Sequence, residues 1–289
     1  MNCIDQVVTD RYTAIHGDCV EALSGLPDAC IGYSIFSPPF ASLYTYSNSP
    51  RDMGNVRDDA EFFAHFDFLI AQLRRVMKPG RNISFHCMDM PSSKERDGVI
   101  GLKDFPGNLL RAFERHGFIF HSRVTIWKDP VTAMQRTKAL GLLHKSVREN
   151  SAMCRQGIAD YLITVRSPGE CERVTHGSEY PVDLWQKVAS PVWMDINPSD
   201  TLQYMSAREH DDERHIAPLQ LEVIRRGVML WTNPDDIVLS PFMGIGSEGY
   251  VSLEMGRRFV GVELKASYYR QAVANLAAAT AKTEDLFAA

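Results

Sequence analysis

The sequence predicts an α/β protein, and three observations carry that prediction. Short apolar runs of strand length alternate with amphipathic helical segments along most of the chain. One apolar run, Ile237–Pro241, opens directly into a glycine-bearing turn and a helix. The chain has 289 residues, 45% of them hydrophobic and 23% charged, an ordinary globular composition. That length makes one large domain or two small ones, and buries a core without staples.

The elements follow in order. Arg11–His16 reads as a short strand and Glu21–Leu26 as a helical turn or two. Cys30–Phe36 is a mostly apolar strand that ends abruptly at Ser37-Pro38-Pro39-Phe40. Asp58 or Asp59 caps a helix whose apolar stripe is Phe62, Phe66, Leu69, Leu73 and Val76, and Lys78-Pro79-Gly80 stops it. Asn82–Cys87 is a strand, Asn108–His116 a helix and Phe118–Trp127 a longer strand. Residues 128–155 show little periodicity and many basic and polar side chains, Tyr161–Val165 returns to strand, and residues 167–214 are irregular and punctuated by four prolines. Order resumes with helix Pro218–Trp231, strand Ile237–Pro241, helix Gly249–Met255, strand Phe259–Leu264 and helix Ser267–Ala279. There is no internal repeat.

Charge and cysteine usage exclude several classes. The formal net charge of −5 argues against a wholly basic nucleic-acid coat but leaves room for a local basic groove. Six cysteines without CxxC spacing argue against a disulfide framework or a zinc site, and favour a reducing, cytoplasmic setting. The N-terminal segment, with Asp5, Asp10 and Arg11, has no apolar core of a signal peptide. No run approaches the roughly 18 apolar residues of a spanning helix.

Two turns carry chemistry. In Ile237–Gly246 a buried strand runs into glycines two apart and then a helix, so backbone N–H groups face whatever binds there. The next strand ends in Glu263, placed to accept hydrogen bonds from the two ribose hydroxyls of a nucleoside. Gly244, Gly246 and Gly249 also match GxGxxG, which keeps an NAD site in competition, and a plain βα turn needs glycine too. In Ser37-Pro38-Pro39-Phe40 two prolines fix the backbone and remove two donors, leaving carbonyls outward. Ser37 adds a hydroxyl and Phe40 a flat apolar face, a set that can hold a planar base by stacking and accept hydrogen bonds from its amino group. A rigid strand-capping turn would use the same prolines.

Together the segments resemble the S-adenosylmethionine-dependent DNA methyltransferases that modify exocyclic amino groups, cytosine N4 and adenine N6. Residues 16–27 are similar to the family's adenine-contacting segment, with Asp18 at its acid. Ser37, Pro38, Pro39 and Phe40 resemble the catalytic tetrapeptide. Residues 213–220, with His215 and Pro218, resemble the segment that touches the methionine part of the cofactor. Ser240, Pro241, Phe242, Gly244 and Gly246 resemble the FxGxG cofactor loop, and Glu263 matches the ribose acid. The catalytic motif precedes the cofactor motif, as in the circularly permuted beta group. The sequence departs from the family pattern at Ser240, where Asp is usual, and at Ile216-Ala217.

The resemblance implies a Rossmann-like class I methyltransferase fold with a central, mostly parallel sheet and an irregular target-recognition insertion. It implies S-adenosyl-L-methionine as cofactor, DNA as partner, base flipping, a restriction-modification setting, no metal and no membrane, with a homodimer allowed but required by no motif. Ser at position 37 goes mainly with cytosine N4 in the family, and Asp or Asn with adenine N6; methylation of RNA or of a protein amide, or a DNA-binding module without transfer, which Ser240 favours, stay open as further readings. Residues 1–127 are then the catalytic half, 128–214 the DNA-contact and target-recognition region, and 215–289 the cofactor half. Residues 111–148 hold eight basic side chains against two acidic ones. Arg136, Lys138, Lys145 and Arg148 are the expected phosphate contacts. Tyr44, Tyr46 and Arg51 could close over the base. Trp193, Tyr204 and Arg208 mark a second candidate recognition region, with packing the expected role for Trp193.

Overall fold

A computed structural model describes residues 3–40, 53–92, 94–131, 144–153, 157–171, 181–203, 207 and 218–288. One nine-stranded sheet runs through the molecule. Its strands are β1 (Asp5–Val8), β2 (Tyr12–His16), β3 (Tyr33–Phe36), β4 (Asn82–Met88), β7 (Ile119–Ile126), β8 (Asp160–Arg166), β9 (Val192–Trp193), β10 (Ile237–Ser240) and β11 (Arg258–Glu263). β5 (Met90–Ser92) and β6 (Gly101–Lys103) form a separate hairpin. The strand order is β1-β2-β11-β10-β3-β4-β8-β7-β9. The five strands from β2 to β4 are mutually parallel, the β1–β2, β4–β8 and β8–β7 pairs are antiparallel, and β9 pairs parallel with β7.

Helices cover both faces, as a parallel sheet requires. On one face lie α1 (Cys19–Ser24), α2 (Asp59–Val76) and α4 (Phe105–Arg115). On the other lie α7 (Leu221–Trp231), α8 (Ser247–Glu254) and α9 (Ala266–Ala288). Shorter helices are α3 (Lys94–Asp97), α5 (His144–Glu149) and α6 (Val182–Val188). Strand side chains alternate between the two cores: Tyr33 and Ile35 face α7, and Phe36 faces α2. The expected stripe of α2, Phe62, Phe66, Leu69, Leu73 and Val76, is buried throughout, and Asp58 caps it by accepting the Glu61 N–H at 2.9 Å.

Two helices, α1 and α4, start earlier than the sequence pattern placed them, because side-chain caps set them, whereas α7 starts later, at Leu221 and not Pro218. Asp18 Oδ1 accepts the N–H groups of Val20 and Glu21 at 2.9 and 3.0 Å, which starts α1 at Cys19. Asp104 Oδ1 accepts the Gly107 N–H at 2.8 Å, which starts α4 at Phe105. The stretches read as irregular contain α5, α6 and the short strand β9. Trp193 of β9 is buried, donates to the Val188 carbonyl at 3.1 Å and lies under the Arg226 guanidinium, so its role is packing.

At the amino ends of the central strands, a buried Arg81–Asp236 pair holds the layers together. Arg81 also donates to the carbonyls of Gly32 at 2.8 Å and Trp231 at 3.2 Å, and Asp236 accepts the Asn233 N–H. A buried charge pair with every neighbour hydrogen-bonded is costly to break on one side only.

Gly249 packs helix α8 onto the sheet. A Cβ there would lie 2.4 Å from Leu276 Cδ2 and 2.5 Å from Phe259 Cδ1. Gly249→Ala is expected to destabilise the protein by about 1–3 kcal/mol through overpacking. Gly101→Ala, where the nearest atom is 3.6 Å away, should stay within about 0.5 kcal/mol. Urea denaturation of the two variants checks the contrast.

Candidate active site

The strand order reverses between β10 and β3. The chain leaves β10 for α8 on one face, and leaves β3 for α2 on the other. Adjacent strand ends that diverge in this way leave a crevice at their carboxyl edge, where ligands bind in open α/β sheets. Both sequence turns sit at this point: residues 37–40 follow β3, and residues 241–246 follow β10. Phe36 and Phe242 join them, ring centroids 5.8 Å apart. Two motifs far apart in sequence therefore form one site.

The cofactor-loop side is built from three strand ends. Glu263 closes β11 beside His16 of β2. Its Oε2 accepts the Gly244 N–H at 2.9 Å and its Oε1 accepts the Lys265 N–H at 2.8 Å. Gly244 and Gly246 take left-handed φ values of 51° and 87°, conformations that favour glycine. A Cβ on Gly246 would press at 3.3 Å on Ala272 of α9, whereas the space beside Gly244 is open. Ser240 is fully buried and its Oγ has no hydrogen-bond partner among the described residues. Pro241 is buried and Phe242 half-buried. Asp18 lies on the loop after β2, where its carboxylate caps α1. Pro218 is half-buried ahead of α7, and His215 lies outside the described residues.

The catalytic-turn side holds Ser37 and Pro39 half-buried and Pro38 buried. The half-buried Phe40 packs near Phe105, ring centroids 6.0 Å apart. Ser37 Oγ lies 3.2 Å from Nδ1 of His86, a contact no local pattern in the sequence announces, since the two are 49 residues apart. Glu248, at a variable position of the GxGxxG string, is buried in the first turn of α8. Burial first, and the neighbouring charge of Glu263 as well, push its carboxyl up to about 8 against the pull of a backbone hydrogen bond.

The expected phosphate contacts divide. Lys145 and Arg148 stand exposed on α5, with Lys145 3.5 Å from Glu149, and Arg136 and Lys138 lie outside the described residues. Tyr44, Tyr46, Arg51, Tyr204 and Arg208 also lie outside them. Three other members of the basic stretch are ion-paired: Arg111 with Asp104, Arg115 with Asp67 and Lys128 with Asp160. Among the described residues no cluster of His, Cys, Asp and Glu could hold a metal, and no helix is long and apolar enough to cross a membrane.

This is the crevice of a class I methyltransferase fold. The chain belongs to the DNA methylase family, whose model matches residues 34–274 and so includes both turns. It is 24% identical to the type II methyltransferase M.BglII of Bacillus subtilis, over 88% of this chain and 65% of that protein. It thus spans about two thirds of the length of that relative. It is 24% identical to the DNA adenine methyltransferase YhdJ of Escherichia coli K12, over 92% of this chain and 83% of that one. Among solved structures it resembles TTHA0409 of Thermus thermophilus in complex with S-adenosyl-L-methionine (TM-score 0.69, 21% identity, 94% of this chain and 95% of that one). It also resembles the cytosine-N4-specific PvuII DNA methyltransferase (TM-score 0.67, 17% identity, 95% and 90%).

Glu248 titrates far above an unfolded glutamate, whose value is 4.5. A raised carboxyl leaves stability intact below pH 4.5 and costs it progressively as pH rises from there to about 8. Glu248→Gln should therefore match the parent in melting temperature near pH 4, exceed it increasingly up to about pH 8, and keep that margin above. A constant difference across that range refutes the neutral, buried state.

Proposed function

We propose that this chain transfers a methyl group from S-adenosyl-L-methionine to the exocyclic amino nitrogen of a flipped base in DNA, most readily N4 of cytosine. The observation that carries the reading is the joining of the Ser37–Phe40 turn and the Phe242–Gly246 loop at one strand-order reversal.

The residues present fit the cofactor. Glu263 offers carboxylate lone pairs at a strand end, Gly244 leaves open space over a bare backbone, and the partnerless Ser240 Oγ is available as a polar contact. Asp18, His215, Pro218, Ser240, Pro241, Phe242, Gly244, Gly246 and Glu263 are the proposed cofactor set. When bound, the cofactor supplies an electrophilic sulfonium methyl group. Ser37 Oγ and the Pro38 carbonyl accept the two amino N–H bonds, which turns the nitrogen lone pair out of the ring and toward the methyl group. Pro39 keeps the turn rigid, and Phe40 stacks on the base. Rate enhancement comes from positioning and fixed dipoles.

Residues 1–127 serve catalysis, 128–214 DNA contact and target recognition, and 215–289 the cofactor. Ser37, which the family resemblance associates mainly with cytosine N4, supports cytosine. The overall likeness to YhdJ supports a second reading, adenine N6 on the same scaffold. The proposed setting is a restriction-modification system in a bacterial cytoplasm, and the type II methyltransferase M.BglII supports its restriction-modification part.

Incubation with DNA and methyl-labelled S-adenosylmethionine, followed by nucleoside mass spectrometry, is expected to yield N4-methylcytosine. N6-methyladenine selects the second reading, and no label in DNA overturns both. Ser37→Ala and Phe40→Ala should each lose roughly 100-fold or more in transfer while binding cofactor normally.

DNA affinity should fall with salt. Removing the charges of Arg136, Lys138, Lys145 and Arg148 together should lower the logarithmic salt slope by about 0.9 for each phosphate no longer neutralised. An unchanged slope in a titration across salt concentrations places the DNA elsewhere.

A further inference from the structure

Four neighbouring strands each bring one polar residue to the carboxyl edge of the sheet beside the catalytic turn. Ser37 follows β3, His86 lies near the end of β4, Asp160 opens β8, and Lys128 stands just past β7. Their contacts form an unbroken row. Ser37 Oγ is 3.2 Å from His86 Nδ1, His86 Nε2 is 3.1 Å from Asp160 Oδ2, and Lys128 Nζ is 2.6 Å from the same oxygen. The His86–Asp160 contact is at hydrogen-bond distance but off the N–H axis.

The row is built into the fold rather than laid on its surface. Asp160 is 3% exposed, and it pairs in register with Met88 of β4 and Ile126 of β7. A carboxylate buried there is tolerated because the Lys128 ammonium lies against it. Burial pushes its carboxyl up, but its polar partners His86 and Lys128 outweigh that and hold it below the ordinary range. Asp160 is therefore an anion at neutral pH. An anion beside Nε2 favours the tautomer with hydrogen on that nitrogen, which leaves Nδ1 as a lone pair facing the Ser37 hydroxyl. Ser37 then donates to His86 and keeps its own lone pairs for donors in the crevice.

We propose that His86 is a positioning residue that acts through Ser37, taking up the Ser37 hydroxyl proton while Ser37 Oγ takes the surplus proton of the methylated amino nitrogen. The proposal rests on the amino-methylation reading above. The nitrogen lone pair forms the new N–C bond, and the electrons of the S–C bond that breaks stay on sulfur. The nitrogen is left with one proton too many. That proton passes to Ser37 Oγ, the hydroxyl proton of Ser37 passes to His86 Nδ1, and the imidazolium so formed sits against Asp160. Lys128 holds Asp160 charged in readiness. Bulk water recovers the proton after the product leaves.

Two measurements test this. The first needs neither cofactor nor DNA: nitrogen-15 NMR of the imidazoles is expected to show His86 bare at Nδ1 and protonated at Nε2, with the preference weakened in Asp160→Asn. A protonated Nδ1 overturns the relay. The second is single-turnover methylation by His86→Asn and His86→Gln, which keep a hydrogen-bonding side chain but cannot take a proton. The rate is expected to fall by roughly 100-fold, the lower range for a lost acid–base group, with DNA and cofactor dissociation constants within twofold of the parent. His86→Gly should recover rate on addition of imidazole. Turnover of both amide variants within threefold of an active parent overturns the relay alone. A parent that puts no methyl on DNA overturns the amino-methylation reading and the relay with it, even where the tautomer is as expected.

Discussion

The reversal of strand order between β10 and β3 is the constraint on which the rest of the molecule depends. A parallel sheet must be covered on both faces, and each connection between parallel strands must cross one of them. Because the chain leaves these two adjacent strands in opposite directions, no helix can lie across their carboxyl ends. The crevice is a consequence of coverage, not of any special residue. Once it exists, the first turn after each strand faces it, and the two turns that meet there are the two that the sequence marks. The order in which the chain visits them makes no difference to the site. A permuted chain with the same sheet order places the same groups together.

The glycine loop shows how such a crevice is kept open. Two left-handed glycines carry the chain from β10 into α8, and the loop is latched from the neighbouring strand by Glu263, which takes a backbone N–H on each oxygen. Glu263 thus has a backbone donor on each oxygen, while burial pushes the neighbouring Glu248 carboxyl up. Two carboxyl groups side by side in a site of low polarity do not both ionise readily. The structure resolves the conflict by giving one of them the hydrogen bonds. Burial is the larger reason that Glu248 is a neutral acid in the first turn of the helix that follows, and the latch adds to it.

Most of the sheet and its large helices were legible in the sequence, because those elements are buried and burial imposes a period. The stripe of α2 and the apolar runs of β3, β4, β10 and β11 are direct records of two-sided coverage. The missed elements are those without such a record. β1 is a mostly exposed edge strand, α6 buries only Val188 and has no side-chain cap, and β9 is two residues long. The site divides in the same way. Glycines, prolines and the strand-ending acid leave local signals, since each is needed for a backbone conformation. His86 and Asp160 leave none beyond a polar residue at the end of an apolar strand. Their meeting is a matter of β4 lying beside β8, and strand pairing is not written in any one segment.

Lys128 shows why charge counted by segment misleads. In the sequence it opens the basic, irregular stretch and adds to the local excess that speaks for a phosphate-binding surface. In the fold its ammonium group is the counterion of Asp160, one strand away from His86 and two from Ser37. A cation 2.6 Å from a buried carboxylate is held far more firmly than one in a solvent-facing pair such as Lys145 and Glu149. Moving it to a phosphate would strand the anion of Asp160. The basic stretch therefore has a fixed end and a free end. Its first lysine is tied to a buried carboxylate, whereas Lys145 and Arg148, farther along, stand in solvent.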